Sequence, residues 1–342
     1  MPDETPLFNP PPVDCEALFS LLRGYEQYRL LTAAVDLGVF AQLRQPTTAR
    51  NLSERLSSDP ALTEKMLNAL AAIGLIRKRG QTYSNSDLAA TYLDPDSPFA
   101  IPNLIALVRK GEVFWDGVAA RLEGQAAGDG RRLEAVFDAS FVLAMAEGAL
   151  RGGLQRTVQE LRDREEFQRA RSLLDLGGGH GLYAIAFAKA NPALQVTLFD
   201  LPPVVEVARQ FVQRYGAADR VALRAGNFLT DDIPSGYDIV FASDALYRPP
   251  DQLEPLVAKI MAALNPGGTF ITKHWAMNPD RTGPTTTVLW EFRLALGGHE
   301  LYVYDNDEYC ALVRRCGFGA VEVVDISSEA KPSSLVFARK AP

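Results

Sequence analysis

The first chemical signal lies in the middle of the chain. Asp175, Gly177, Gly179 and Gly181 stand at every second position of Leu173-Leu174-Asp175-Leu176-Gly177-Gly178-Gly179-His180-Gly181. Glycines placed after a strand permit a tight turn and let a ligand approach the backbone closely. The dinucleotide fingerprint G-x-G-x-x-G fails, because Leu182 holds the sixth position counted from Gly177. A carboxylate ahead of the glycines repels a diphosphate and attracts a ligand that carries an ammonium and a sulfonium. This favours S-adenosylmethionine (SAM) over a nicotinamide cofactor. Asp200 ends the next apolar run, about 20 residues further on, where a carboxylate takes ribose hydroxyls. The competing reading of Asp200 is the N-cap of the following helix.

These residues need a sheet to hold them. Seven short apolar runs read as strands: Leu173–Leu176, Val196–Phe199, Val221–Arg224, Ile239–Ser243, Thr269–Lys273, Ala320–Asp325 and Leu335–Ala338. Helical patterns lie between most of them, which predicts an open, doubly wound α/β domain. Ahead of it, Ile105 to Arg162 has helical spacing, with a Gly/Ala loop at Gly124–Gly130. The N-terminal third differs. Asp14 to Leu43 is helical with a break at Gly38, and helices follow at Ala49–Leu56 and Ala61–Ile73. Two short strands then flank Gly80, completing the helix–helix–helix–hairpin order of a winged helix. The expected division is 1–104 and 105–342.

Composition narrows the functions. The chain has 342 residues, 35 basic and 42 acidic, for a net charge of −7. That balance argues against nucleic acid, and the would-be recognition helix Ala61–Ile73 offers only Lys65 as a cation. Cys15, Cys310 and Cys316 form no metal-type pair, so no metal site is expected and a reducing cytoplasm fits. No apolar run has the length of a membrane span. Met1 to Asp14, acidic and Pro-rich, reads as a loose arm rather than a signal peptide.

At this point the chain resembles the SAM-dependent O-methyltransferases of the plant caffeate and bacterial antibiotic-tailoring type. The likeness is carried by the winged-helix segment, Phe141-Val142-Leu143-Ala144-Met145, the glycine loop, Phe199-Asp200-Leu201-Pro202, Gly226-Asn227-Phe228 and Ala263-Leu264-Asn265-Pro266-Gly267-Gly268. The resemblance implies a Rossmann-like class I catalytic domain and a mainly α N-terminal dimerisation domain. It implies a homodimer, a small-molecule acceptor from secondary metabolism, and S-adenosylhomocysteine (SAH) as product. Asp175, Gly177 and Gly179 would approach the methionine half of SAM, Asp200 and Leu201 the ribose, Asn227 and Phe228 the adenine, and Ser243 and Asp244 would lie under the methionine moiety. Asn227 stands where the family usually has Asp. Phe141, Met145 and Trp290 would face the acceptor.

One departure limits the mechanism. O-methylating members place a histidine base after the fourth strand, and Tyr247 holds that position in Ala245-Leu246-Tyr247-Arg248. A tyrosine with its usual pKa near 10 is a poor base at neutral pH. The sulfonium is already activated, so aligning the reactants can carry much of the catalysis. His274, after the fifth strand, is the best histidine candidate for a relocated base, and Glu300 could pair with Tyr247 or Arg248 or be solvated. His180 reads as a bystander in the glycine loop. Three functions follow: a methyltransferase whose acceptor needs little base assistance, an O-methyltransferase with a relocated base, or a SAM-binding protein that no longer transfers methyl. Aromatic residues around the expected pocket suggest a flat, largely apolar acceptor.

Overall fold

The computed structural model describes residues 11–124, 137–328 and 332–342. The first ten residues of the expected arm, and positions 125–130 of the Gly/Ala loop, lie outside them. The chain divides into two compact units, Met1–Pro102 and Asn103–Pro342.

The first unit has the winged-helix order. Helix Glu16–Asp36 ends before Gly38, whose φ of 68° suits a residue without a side chain, and the short helix Val39–Gln42 follows. Thr48 caps Ala49–Leu56, and Asp59 caps Pro60–Ala72 by accepting the Leu62 N–H at 2.7 Å. Strands β1 (Thr47–Thr48), β2 (Ile76–Arg79) and β3 (Thr82–Asn85) pair antiparallel in the order β1-β3-β2. Phe40, Leu43, Leu52, Leu67, Leu70 and Tyr83 fill its core. On the hairpin, Arg77 pairs with Asp87 and Lys78 donates to Asn68. Two of its three cations are thus engaged with the unit's own side chains.

All seven expected strands are present in the second unit: β4 (Ser172–Leu176), β5 (Gln195–Asp200), β6 (Val221–Ala225), β7 (Tyr237–Ser243), β8 (Leu264–His274), β9 (Val321–Asp325) and β10 (Ser334–Arg339). They form one sheet in the order β6-β5-β4-β7-β8-β10-β9. β4 to β8 run parallel, and β10 runs antiparallel to both β8 and β9. β8 is longer than expected, because Leu264 already pairs with Tyr237 before a register shift.

The order of the strands locates the site. From β4 the chain winds outward through β5 and β6, then returns to β7 on the other side of β4. The loops leaving β4 and β7 therefore diverge, and a crevice opens at their carboxyl ends. Helices Gly153–Arg162 and Leu182–Ala190 cover one face, and Pro250–Ala263 and Asn306–Arg315 the other. Among the described residues no helix is long and apolar enough to cross a membrane.

Phe241 of β7 is fully buried, with its ring 4.9 Å from Phe187 and 5.3 Å from Tyr183. Phe241→Ala should cost about 3–5 kcal/mol, measured by urea unfolding. A loss under about 1 kcal/mol would mean this side of the sheet is not close-packed.

Candidate active site

The glycine loop folds over the end of β4 because its backbone enters conformations that side chains disfavour. Gly177, Gly179 and Gly181 have φ of 67°, 56° and 76°. The Gly177 N–H donates to the Phe199 carbonyl at 2.8 Å, tying the loop to β5. A Cβ on Gly177 would lie 2.9 Å from Cβ of Ala245 and 3.3 Å from the Phe228 ring. Three segments, leaving β4, β6 and β7, thus converge on this one residue. Gly179 is different: a Cβ there would meet open space. That is the side on which a ligand can approach the backbone.

Asp200 sits directly against this loop. One carboxylate oxygen accepts the Gly179 N–H at 2.8 Å and the other accepts the Leu201 N–H at 2.7 Å. Burial holds its pKa above the ordinary carboxylate value, and these two amide donors offset only part of that rise. Asp200 is not the N-cap of helix Pro202–Arg214, since Leu201 holds that position. Asp175 is more enclosed, at 1% exposure. A Cβ on Gly178 would clash with its carboxylate at 2.8 Å, so it lies directly beneath the loop. Burial, then the Asp200 charge, push its pKa up to about 7, while the Ala184 N–H in the first turn of the next helix opposes them. Its Oδ2 is buried without a hydrogen-bond partner. The full negative charge expected of Asp175 is therefore corrected. Near neutral pH it is partly protonated, and it supports the loop from below.

The glycine cradle and the carboxylate on its rim fit a nucleoside cofactor. Phe228 is half-buried against Gly177. The Asn227 side-chain oxygen accepts the Leu229 N–H at 3.0 Å, so this half of its amide shapes the turn after β6. Ser243 ends β7, with its hydroxyl 3.4 Å from Asp244.

The segment after β7 departs most from the sequence expectations. Tyr247 is buried and its hydroxyl donates to Asp244 at 2.9 Å, while its oxygen accepts the Trp275 N–H at 2.8 Å. Burial first, then the Asp244 charge, hold its pKa well above the ordinary value. Tyr247 is partnered by Asp244, and Glu300, for which the sequence left pairing or solvation open, is exposed. Glu291 is engaged by Arg281 at 2.9 Å and the Val303 N–H at 3.3 Å. His274 is buried with its ring 4.7 Å from Tyr309, and burial lowers its pKa to about 4. His180 accepts the Leu182 N–H at 3.0 Å and stacks on Tyr183, which is a packing role within the loop. Trp290 stands 4.8 Å from the Tyr247 ring and 5.2 Å from Trp275, forming an aromatic wall. Phe141 and Met145 are half-buried on helix Ala139–Leu150, where Phe141 packs edge-on against Phe137.

Comparison with known proteins matches residues 134–319 to the O-methyltransferase domain and residues 19–95 to the O-methyltransferase dimerisation domain. The chain belongs to the O-methyltransferase family. It is similar to an uncharacterized protein of Methanocaldococcus jannaschii, 33% identical over 88% of this chain and 83% of that one. It is 29% identical to the N,N-dimethyltransferase OxyT of Streptomyces rimosus, over 90% of this chain and 92% of that one. The structure of human N-acetylserotonin methyltransferase in complex with SAM superposes with a TM-score of 0.81 at 21% identity, covering 98% of this chain and 99% of that one. That likeness shows the fold, the class I methyltransferase α/β sheet. The chain is accordingly a SAM-dependent methyltransferase with an N-terminal dimerisation domain.

Sequence reasoning gave no role to Lys273. It lies in an otherwise apolar strand, is fully buried, and pairs with Asp244 at 2.5 Å. A charged residue closing a central strand was the available signal.

Two outcomes test this geometry. Gly177→Val should weaken SAH binding by at least about tenfold in calorimetry, because the side chain displaces the Ala245 segment and enters a disfavoured φ. For Asp175, the folded state holds its proton more tightly than the unfolded chain, whose pKa is near 3.8. Its contribution to stability therefore declines as pH rises from about 4 to about 7. Asp175→Asn should raise Tm at pH 8 relative to pH 5 by about 2 °C or more compared with the wild type. An equal shift at both pH values would contradict the burial of the charge.

Proposed function

We propose that this chain methylates a small, flat, largely apolar acceptor, from SAM, by holding the reactants in line and without a histidine base. When bound, SAM supplies a methyl group on an activated sulfonium and departs as neutral SAH. Asp200, its carboxylate oriented by the Gly179 and Leu201 amides, would take the ribose hydroxyls with Leu201 alongside. Gly177 and Gly179 would let the backbone approach the cofactor, with Asp175 supporting them. Phe228 and Asn227 would border the adenine, and Ser243 the methionine end. Phe141, Met145 and Trp290 would contact the acceptor, and a second copy of the chain would pair through the dimerisation domain.

The observation that carries this reading is the double engagement of the Tyr247 hydroxyl, between Asp244 and the Trp275 N–H. A phenol held in that way stays protonated and donates to the carboxylate rather than removing a proton from an acceptor. His274 supports the same conclusion, because an imidazole with a pKa of about 4 is a weak base. Glu300 is exposed and has no histidine to orient. The acceptor must then be nucleophilic as it arrives: an amine, a thiol, an activated carbon or an acidic phenol. The similarity to an N,N-dimethyltransferase is in keeping with a nitrogen acceptor.

Asp200→Ala should weaken SAM about 100-fold by calorimetry, the loss of two charge-assisted hydrogen bonds of ~1.5 kcal/mol each. Near-normal affinity would remove the ribose assignment. Tyr247→Phe should lower turnover, followed as SAH release across a panel of phenols, amines and thiols, by less than about tenfold. A fall of about 10²–10⁴ with unchanged binding would identify Tyr247 as a base after all.

A further inference from the structure

Lys273 is 0% exposed at the end of β8, and it holds Asp244 in two ways. Its ammonium lies 2.5 Å from one carboxylate oxygen, and its main-chain carbonyl accepts the Asp244 N–H at 2.7 Å. Asp244 itself has φ of 55°, in the left-handed region, so this grip constrains a backbone conformation that most residues avoid. The other carboxylate oxygen receives the Tyr247 hydroxyl, whose oxygen in turn receives the N–H of Trp275, the residue next to His274. The Tyr247 ring then meets Trp290 edge-on, and Trp290 packs on Trp275. A run of contacts thus begins at a buried ammonium and ends at three aromatic rings.

A buried charge is tolerated when paired, and removing one partner strands the other. The Lys273–Asp244 pair therefore has a strongly preferred arrangement, and Tyr247 takes its orientation from it. We infer that Lys273 is a positioning residue for methyl transfer: acting through Asp244, it fixes Tyr247 as a hydrogen-bond donor and sets the wall of Tyr247, Trp275 and Trp290 against which the acceptor lies. The inference rests on the reading that this wall borders the acceptor. It gives the residue at the family's base position a new part. The ring of Tyr247 faces the pocket's aromatic wall, while its oxygen is committed to the charge pair. The acceptor is then selected by its face, through stacking, and not by a hydrogen bond to this hydroxyl.

The test uses the full chain with SAH as probe. Lys273→Met removes the charge at similar length, and Tyr247→Phe cuts the link to Asp244 while leaving the Lys273–Asp244 pair intact. Both should lose most of the tryptophan fine structure in the near-UV circular dichroism spectrum. In Lys273→Met, SAH affinity by calorimetry should fall by less than about tenfold, since Asp244 is flanked by Ser243 and by Ala245 at the cofactor cradle. Lys273→Arg, which keeps a cation, should restore part of the signal. If Lys273→Met does not fold, Tyr247→Phe alone decides through the same spectrum. Unchanged tryptophan fine structure in either folded variant overturns the inference. So does a loss of SAH affinity beyond about tenfold with the fine structure kept, which would assign the pair to the cofactor. Wild-type SAH release across the phenol, amine and thiol panel checks the methyl-transfer reading separately.

Discussion

The second unit is organised around a place where a side chain cannot fit. Segments leaving β4, β6 and β7 meet at Gly177, and a single added carbon would overlap Ala245. This contact follows from the strand order, since β5 and β6 lie on one side of β4 and β7 on the other. A crevice at the switch point requires loops that diverge, and a cofactor cradle requires them to return to a common floor. Gly177 meets both demands, and its hydrogen bond to Phe199 fixes the floor to the sheet.

The charges are arranged around that floor at different depths. Asp200 lies at the rim with two amide donors, an arrangement that favours its anion against the cost of burial. Asp175 lies below, close enough to feel the Asp200 charge, and is driven toward its neutral form. Two carboxylates from adjacent strands thus sit in different surroundings, one held by amide donors at the rim and one enclosed beneath the loop. Family membership and the intact cradle agree on a SAM-dependent methyltransferase.

The segment that follows β7 is built on another pattern. Where a base would stand, the hydroxyl of Tyr247 bridges a buried ion pair and a main-chain amide. His274, adjacent in sequence to Lys273, points its ring at Tyr309 instead. Alternation along a strand sends consecutive side chains to opposite faces, which is why Lys273 reaches Asp244 and His274 packs against Tyr309 of helix Asn306–Arg315.

Much of this was legible in the sequence. The seven strands, the glycine loop and Asp200 announce themselves through local pattern, because tight turns, strand periodicity and left-handed backbone restrict residue type wherever they occur. The missing histidine was legible for the same reason, as a residue type at a position. What no local pattern contains is which distant groups share a volume. The near-neutral pKa of Asp175 comes from burial under Gly178 and the approach of Asp200. The partner of Tyr247 proved to be Asp244 and not Glu300, and the role of Lys273 emerged only when β7 and β8 lay side by side. Burial and pairing of charge depend on neighbours supplied by other strands, so the tertiary structure alone decided them.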